Sequence, residues 1–217
     1  MALAIFDLDN TLIAGDSDHA WGEFLVAKKA VDVESYRRQN DRFFQDYQSG
    51  KLDMTAYLEF AMQPLAEIKP ENLAKLQHEF MREIIKPMML PRAQALLAEH
   101  RRKKDFLMVI TSTNRFVVEP ICEQLEIDDL IATEPEIING RYTGEITGTP
   151  SFREGKVERL QQWLAGRSLN MQGSFFYSDS INDLPLLLEV DNPVAVDPDE
   201  ALRAEAKSRN WPIISLR

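Results

Sequence analysis

A short apolar run, residues 2–6 (ALAIF), opens the chain, and the next strand-like run arrives only at residues 106–110 (FLMVI). A run that short and that apolar reads as a strand buried on both faces. A buried strand needs partners, and here they lie far along the chain. The intervening residues must leave the sheet and return to it.

Residues 16–86 carry helical signals and no strand candidate. Ser17 is placed to cap a helix bearing Trp21, Phe24 and Leu25. A second helix carries Phe43, Phe44 and Tyr47 and stops at Gly50. Asp53 caps a third, with Tyr57, Leu58, Ala61 and Leu65. Pro70 starts a fourth, with Leu73, Leu76, Phe80 and Ile84 along one stripe. These aromatics read as the core of a helical bundle. "PMMLP" at 87–91 reads as the return linker.

Beyond it, strands and helices alternate. A helix at 92–103 precedes the strand 106–110, and a helix with Phe116, Val117, Ile121 and Leu125 precedes a strand at 129–133. Asn139-Gly140 signals a hairpin. A helix near 154–165 precedes strand 174–178, a helix near 183–189 precedes strand 193–197, and a last helix starts at Pro198. Alternation of this kind implies a parallel sheet with helices on both faces. The expected organisation is an α/β core, residues 1–15 and 88–217, with an all-helical insert at 16–87.

Composition narrows the function. The net charge of −10 repels nucleic-acid backbones. No apolar run approaches the ~20 residues that span a bilayer. A single cysteine, Cys122, forms no internal disulfide, and the N-terminus lacks a signal-type segment, so a cytoplasmic location is expected. Cys122 sits in an apolar helical stretch and reads as an inert buried thiol. The basic run Arg101-Arg102-Lys103-Lys104 falls at a helix C-terminus, where the dipole favours it.

In an open parallel sheet, ligands bind beyond the carboxyl ends of the strands. There the sequence places Asp7, Asp9, Asn10 and Thr11, then Thr111, Ser112 and Thr113, then Asp179, Asn182 and Asp183. Lys156 begins a nearby helix. Oxygen ligands from Asp7, Asp9 and Asp179 suit Mg²⁺. Hydroxyls and backbone N–H groups at 111–113 suit phosphate oxygens, and Lys156 suits a transferring phosphoryl group. One carboxylate can act as nucleophile, and a second can move the proton. Taken singly, each of these is an ordinary cap, turn or surface residue; together and in order they outweigh that reading. Other phosphate motifs fail. Gly155-Lys156 is no Walker loop, since Pro150 and Val157 stand where Gly and Ser or Thr are needed.

The set "DLDNTL" at 7–12, "VITST" at 109–113, Lys156 in "REGKVERL" and "YSDSINDLP" at 177–185 resembles the haloacid dehalogenase (HAD) superfamily. The insert after the first motif resembles the helical cap of its phosphoserine-phosphatase-like branch. The resemblance implies a Rossmann-like core and an Mg²⁺-dependent phosphatase acting through an aspartyl phosphate. It implies Asp7 as nucleophile and Asp9 as general acid/base. Thr111 would bind the phosphoryl group and Lys156 would stabilise its charge. Asp179 and the backbone carbonyl of Asp9 would complete the metal's protein shell, and Asp183 would orient it. Thr11, Ser112, Thr113 and Asn182 join the phosphate side of the site.

Two departures stand out. Ser178 replaces the glycine frequent before Asp179, and Thr111-Ser112-Thr113 replaces the Ser-Gly-Gly typical of phosphoserine phosphatases. The second acid, Asp9, separates the chain from dehalogenases, which expel halide without a proton. It also separates it from non-catalytic receiver modules, the reading of another class.

The substrate expected is a small phosphorylated metabolite under the cap. Asp16 falls where phosphoserine phosphatases resemble Glu, a carboxylate that reads an ammonium, and Asp18 lies beside it. His19 and Trp21 offer a flat wall. Some relatives of this branch act on histidinol phosphate, which is placed first, ahead of phosphoserine. For phosphoserine, Arg37, Arg38 or Arg42 would have to read a carboxylate; otherwise they form a solvated helix face. Broad specificity is the further alternative.

Overall fold

The computed structural model describes residues 2–217. Strand β1 (Leu3–Phe6) is fully buried along its length. Its neighbours are β2 (Phe106–Asn114) on one side and β5 (Phe175–Ser178) on the other, both parallel, with Phe6 level with Val109 and Tyr177. The remaining strands are β3 (Asp129–Ile138), β4 (Arg141–Thr147), β6 (Asn192–Val196) and β7 (Ile213–Ile214). The sheet runs β4-β3-β2-β1-β5-β6-β7, with only β3–β4 antiparallel. The chain therefore winds outward in both directions from β1, and its carboxyl end opens on the switch point between β2 and β5.

Side chains alternate along the central strands. Ala4, Phe6, Leu107 and Val109 face one apolar layer, which continues into the helical segment. Leu3, Ile5, Met108 and Ile110 face the other, with Phe176 and Leu160. That second layer is closed by later helices described below.

Among the described residues, 17–88 hold no strand. The segment comprises α1 (Ser17–Ala27), α2 (Val33–Gln48), α3 (Met54–Glu67), α4 (Pro70–Phe80), a π-helical turn (Met81–Ile85) and α5 (Lys86–Met88). Asp53 caps α3, and Pro70 opens α4. Asp16, not Ser17, caps α1: its carboxylate accepts from the N–H groups of Asp18 and His19. Ser17 is the first helical residue and fully buried. The stripe expected to carry α4 to Ile84 instead passes through the π turn. The return is tighter than a loose linker. Met89 pairs with Ile13 as an antiparallel bridge, and Ala14 N–H donates to the Met88 carbonyl at 2.8 Å. Entry and exit of the helical segment are thus tied to each other.

The rest of the core adds α6 (Pro91–Lys103), α7 (Arg115–Gln124), α8 (Glu154–Leu164), α9 (Leu184–Leu187) and α10 (Glu200–Arg209). The second apolar layer is closed by α8, α9 and α10. Cys122 is buried in α7, and burial pushes its thiol pKa up. Three strands depart from expectation. β2 runs on through Thr111-Ser112-Thr113, two of them β-branched, with a register shift against β3. β3 continues past residue 133 into the hairpin with β4, across Asn139 (φ 53°) and Gly140 (φ 75°). β7 has only two residues, too few to show a period.

Candidate active site

β1 delivers Asp7 to the carboxyl end of the sheet, where its N–H donates to the Tyr177 carbonyl at 2.9 Å. Behind it lies Lys156, in the first turn of α8 and 3% exposed. Lys156 Nζ sits 2.8 Å from Asp7 Oδ1 and 2.6 Å from Asp183 Oδ1. The Ser178 hydroxyl donates to Asp183 Oδ2 at 2.7 Å and accepts from Ser180 N–H at 3.1 Å. A buried hydrogen-bonded chain thus runs from the end of β5 to Asp7. Ser178 has a function that its place in the sequence did not announce: a glycine there has no hydroxyl to give.

Asp9 is held differently. Its Oδ1 accepts from Ser17 N–H at 2.6 Å, and its Oδ2 from the Thr113 hydroxyl at 2.8 Å. Asn10 adopts a left-handed turn (φ 56°), a conformation asparagine tolerates, which lets the loop double back between Asp9 and Thr11. Thr11, fully buried, donates to Asp179 Oδ1 at 3.2 Å. Asn182 Oδ1 accepts from Arg153 Nε at 3.1 Å.

Crowded, buried carboxylates resist ionisation. Burial, with the charges of Asp183 and Asp9, pushes Asp7 up to about 7 against the pull of Lys156. Burial and the Asp16 charge push Asp9 up to about 7 as well, against its hydrogen bonds from Ser17 and Thr113. Asp179 is held well above the ordinary range by burial and by Asp7 and Asp183. Lys156 behaves in the opposite way. Burial disfavours its charge, yet Asp183 and Asp7 outweigh burial and keep it protonated.

Asp7, Asp9, Asp179, Ser112 and Thr113 line one wall of a cavity. The helical segment supplies the facing wall, with Asp16, Asp18 and His19 from α1, Phe44 and Tyr47 from α2, and Tyr57 from α3. This corrects the reading of the aromatics as bundle core. Phe43 packs on Phe60 and also borders the cavity, Phe44 stacks on His19 (4.4 Å, 24°), and Tyr47 and Tyr57 border the cavity too. Trp21 is core, packed among Phe24, Phe80 and Phe116, and offers no wall to a ligand. Thr111 is buried, and its hydroxyl accepts from Thr113 N–H at 3.2 Å; the cavity-lining residues of that stretch are Ser112 and Thr113. Arg37 pairs with Glu23 and Arg42 with Asp46, both on the outer surface with Arg38.

A family model for haloacid dehalogenase-like hydrolases matches residues 4–188. The chain belongs to the haloacid dehalogenase-like hydrolase family. Among curated relatives, "Histidinol-phosphatase" from Neisseria meningitidis serogroup C (strain 8013) is 48% identical over 99% of both chains. "Phosphoserine phosphatase SerB1" from Mycobacterium tuberculosis (strain ATCC 25618 / H37Rv) is 28% identical over 100% of this chain and 71% of its own length. A crystal structure of a protein of unknown function from Bordetella pertussis Tohama I has a TM-score of 0.93 at 44% identity, covering 100% of this chain and 99% of that one. A substrate-bound phosphoserine phosphatase structure has a TM-score of 0.72 at 18% identity over 100% of this chain and 93% of that one, a likeness of fold. The chain is a phosphatase of the HAD type.

The donor set of this HAD enzyme fits a hard divalent cation. Asp7 and Asp179 offer carboxylate oxygens, and Lys156 is the cation that contacts Asp7. The pKa values of Asp7 and Asp179 are raised first by burial and then by neighbouring carboxylates, and a cation would offset both. The Asp9 carboxylate is turned to Ser17 and Thr113, which leaves its backbone carbonyl as the group to offer. Another group, His19, Glu23 and Asp41, brings its ligand atoms within 4.8 Å of one another on the helical segment. There Arg37 already pairs with Glu23, and Asp41 is exposed. No helix of the described residues is long and apolar enough to cross a membrane.

Proposed function

We propose that this phosphatase hydrolyses a small, amine-bearing phosphomonoester, with histidinol phosphate as first substrate and phosphoserine as second. The pair of unlike carboxylates carries the mechanistic reading: Asp7 is fixed to Lys156, and Asp9, about equally basic, is fixed to other groups. An ionised Asp7 oxygen attacks phosphorus, and the bond from phosphorus to the leaving oxygen breaks. Asp9 gives its proton to that oxygen, so the alcohol leaves neutral. Asp9, now a base, takes a proton from water. The water oxygen attacks the aspartyl phosphate, the Asp7–phosphorus bond breaks, and inorganic phosphate leaves with Asp7 restored. A pKa near the working pH suits a group that must give and then take a proton.

Lys156 offsets charge on the phosphoryl oxygens and on Asp7 together. Asp183, held by Ser178, keeps Lys156 in place. Ser112 and Thr113 line the cavity on the phosphoryl side. Mg²⁺, held by Asp7, Asp179 and the Asp9 carbonyl, would supply further charge stabilisation. The helical segment acts as a cap that keeps water from the site.

The identity to a histidinol-phosphatase supports the first substrate. The outward position of Arg37, Arg38 and Arg42 weighs against their reading a phosphoserine carboxylate. The test is phosphate release from a panel of phosphorylated metabolites with and without Mg²⁺. Histidinol phosphate should give the highest kcat/KM, and Asp7→Asn should abolish turnover. Equal rates across the panel would favour broad specificity; turnover surviving Asp7→Asn would end the mechanism.

A further inference from the structure

The catalytic groups form one wall of the cavity; the other is helical and acidic. Asp16 and Asp18 both border it, but they are differently engaged. Asp16 Oδ1 accepts from Asp18 N–H at 3.0 Å and His19 N–H at 2.8 Å. As N-cap it also faces the positive end of α1, so backbone donors already share its charge, while burial still holds its pKa above the ordinary range. Asp18 caps nothing. Its Oδ2 accepts from the Tyr57 hydroxyl of α3, which leaves Oδ1 for a ligand. Its surroundings work against its charge: burial, Asp16 and Asp9 all push its pKa well up.

The wall around it is built to hold shape. Asn40 Nδ2 donates to the His19 carbonyl at 3.0 Å, and a Cβ on Gly22 would come within 2.4 Å of Asn40 Oδ1. That close approach of α1 and α2 brings Phe44 and Tyr47 over the cavity. The His19 ring, stacked on Phe44, presents a flat surface beside Asp18.

We propose that Asp18, steadied by Tyr57, is the specificity-determining residue that selects a phosphomonoester bearing a protonated amine, in place of Asp16. This deepens the function proposed above and rests on it. The ammonium donates to Asp18 Oδ1 and supplies the compensation that Asp18 lacks. A planar ring on the same substrate lies against His19 and Phe44. Ring and amine together are what a histidinol moiety presents.

Asp18→Asn, Tyr57→Phe and Asp16→Asn separate the two acids, and Asn caps a helix as well as Asp. The readout is selectivity: kcat/KM for histidinol phosphate divided by kcat/KM for phenyl phosphate, which has a ring and no amine. Losing a charge-assisted bond should lower this ratio about ten- to a hundredfold in Asp18→Asn. Tyr57→Phe should lower it about threefold to tenfold, as befits an orienting group. An unchanged ratio in Asp18→Asn, or a loss confined to Asp16→Asn, overturns the assignment. Calorimetric titration with histidinol reads the same contact without turnover. Wild type should bind, and Asp18→Asn should bind at least about tenfold more weakly. If no phosphomonoester is hydrolysed, the phosphatase mechanism falls while this titration still decides Asp18. Equal histidinol affinity in the two proteins, or no binding by wild type, overturns the proposal.

Discussion

Replacing Thr113 by Val removes one hydroxyl from a site 2% exposed and keeps the side-chain shape. The hydroxyl donates to Asp9 Oδ2 at 2.8 Å. A hydrogen bond to a charged group contributes about 1.5–3 kcal/mol, against about 0.5–1.5 for a neutral pair. The ionised form of Asp9 therefore loses roughly 1–1.5 kcal/mol more than the protonated form, which is about one pKa unit. Asp9 should move from about 7 upward by that amount. As general acid, Asp9 works protonated, so the alkaline limb of kcat/KM against pH should move up by about one unit. As base for the second step it works ionised, so the ascending limb governed by hydrolysis of the intermediate should move up too. Stability follows the same sign. A carboxyl raised above its unfolded value binds extra protons when folded, so its contribution is full below pH ~4 and lost as pH rises through the folded pKa. In the variant that loss should run on about one unit further. The checks are pH–rate profiles and metal-free urea denaturation at several pH values. A uniform drop in rate with both limbs unmoved would refute the assignment of Asp9.

Other expectations follow from neighbouring contacts. Lys156→Met leaves Asp7 and Asp183 buried without their cation; removing one partner of a buried pair costs about 3–5 kcal/mol while the survivors stay charged. The loss measured by urea denaturation should be larger at pH 8 than at pH 5, because Asp7 takes up a proton across that range. Mg²⁺ should raise Tm more at pH 8 than at pH 5 for the same reason; an equal gain would speak against a carboxylate-held ion. Gly22→Ala forces a methyl group onto Asn40 and should cost about 1–3 kcal/mol in thermal or chemical denaturation. It should also lower amine selectivity by displacing α2. Ser178→Ala should lower kcat about tenfold with little change in KM, since the lost bond acts on Lys156 through Asp183.

The chemical wall of the site was legible because a strand end is a fixed address. Three apolar runs end in the candidate polar residues, and a parallel sheet must bring those ends together. The placement of Asp7, Asp9 and Asp179 follows from that geometry with no knowledge of loop shape; Lys156 enters from the start of a helix. The misses have local causes. Thr111-Ser112-Thr113 looked like a loop after a strand, yet two β-branched residues keep the chain extended, so Thr111 turns inward and Ser112 and Thr113 meet the cavity. β7 is a pair of isoleucines, and two residues carry no alternation. Ser178 stands where glycine is frequent, and only the folded chain shows its hydroxyl bonded to Asp183.

The recognition wall follows a different logic. Phe43, Phe44 and Tyr47 crowd neighbouring positions of one helix, and Tyr57 lies on another. Helical period alone assigns such a cluster to a buried stripe. Which of them reaches the core and which reaches the ligand depends on how α1 and α2 cross, and that crossing is set by the contact of Gly22 with Asn40. A glycine inside a helix is the visible trace of such an approach, since it costs about 1 kcal/mol against alanine and needs a reason. Read together with an asparagine buried in the next helix, it points to a tight helix pair. The same pair places His19 against Phe44, and α3 brings Tyr57 to Asp18. The catalytic candidates therefore stand at strand ends and a helix start, one residue at a time, whereas the facing wall depends on a helix crossing, where no single residue announces it.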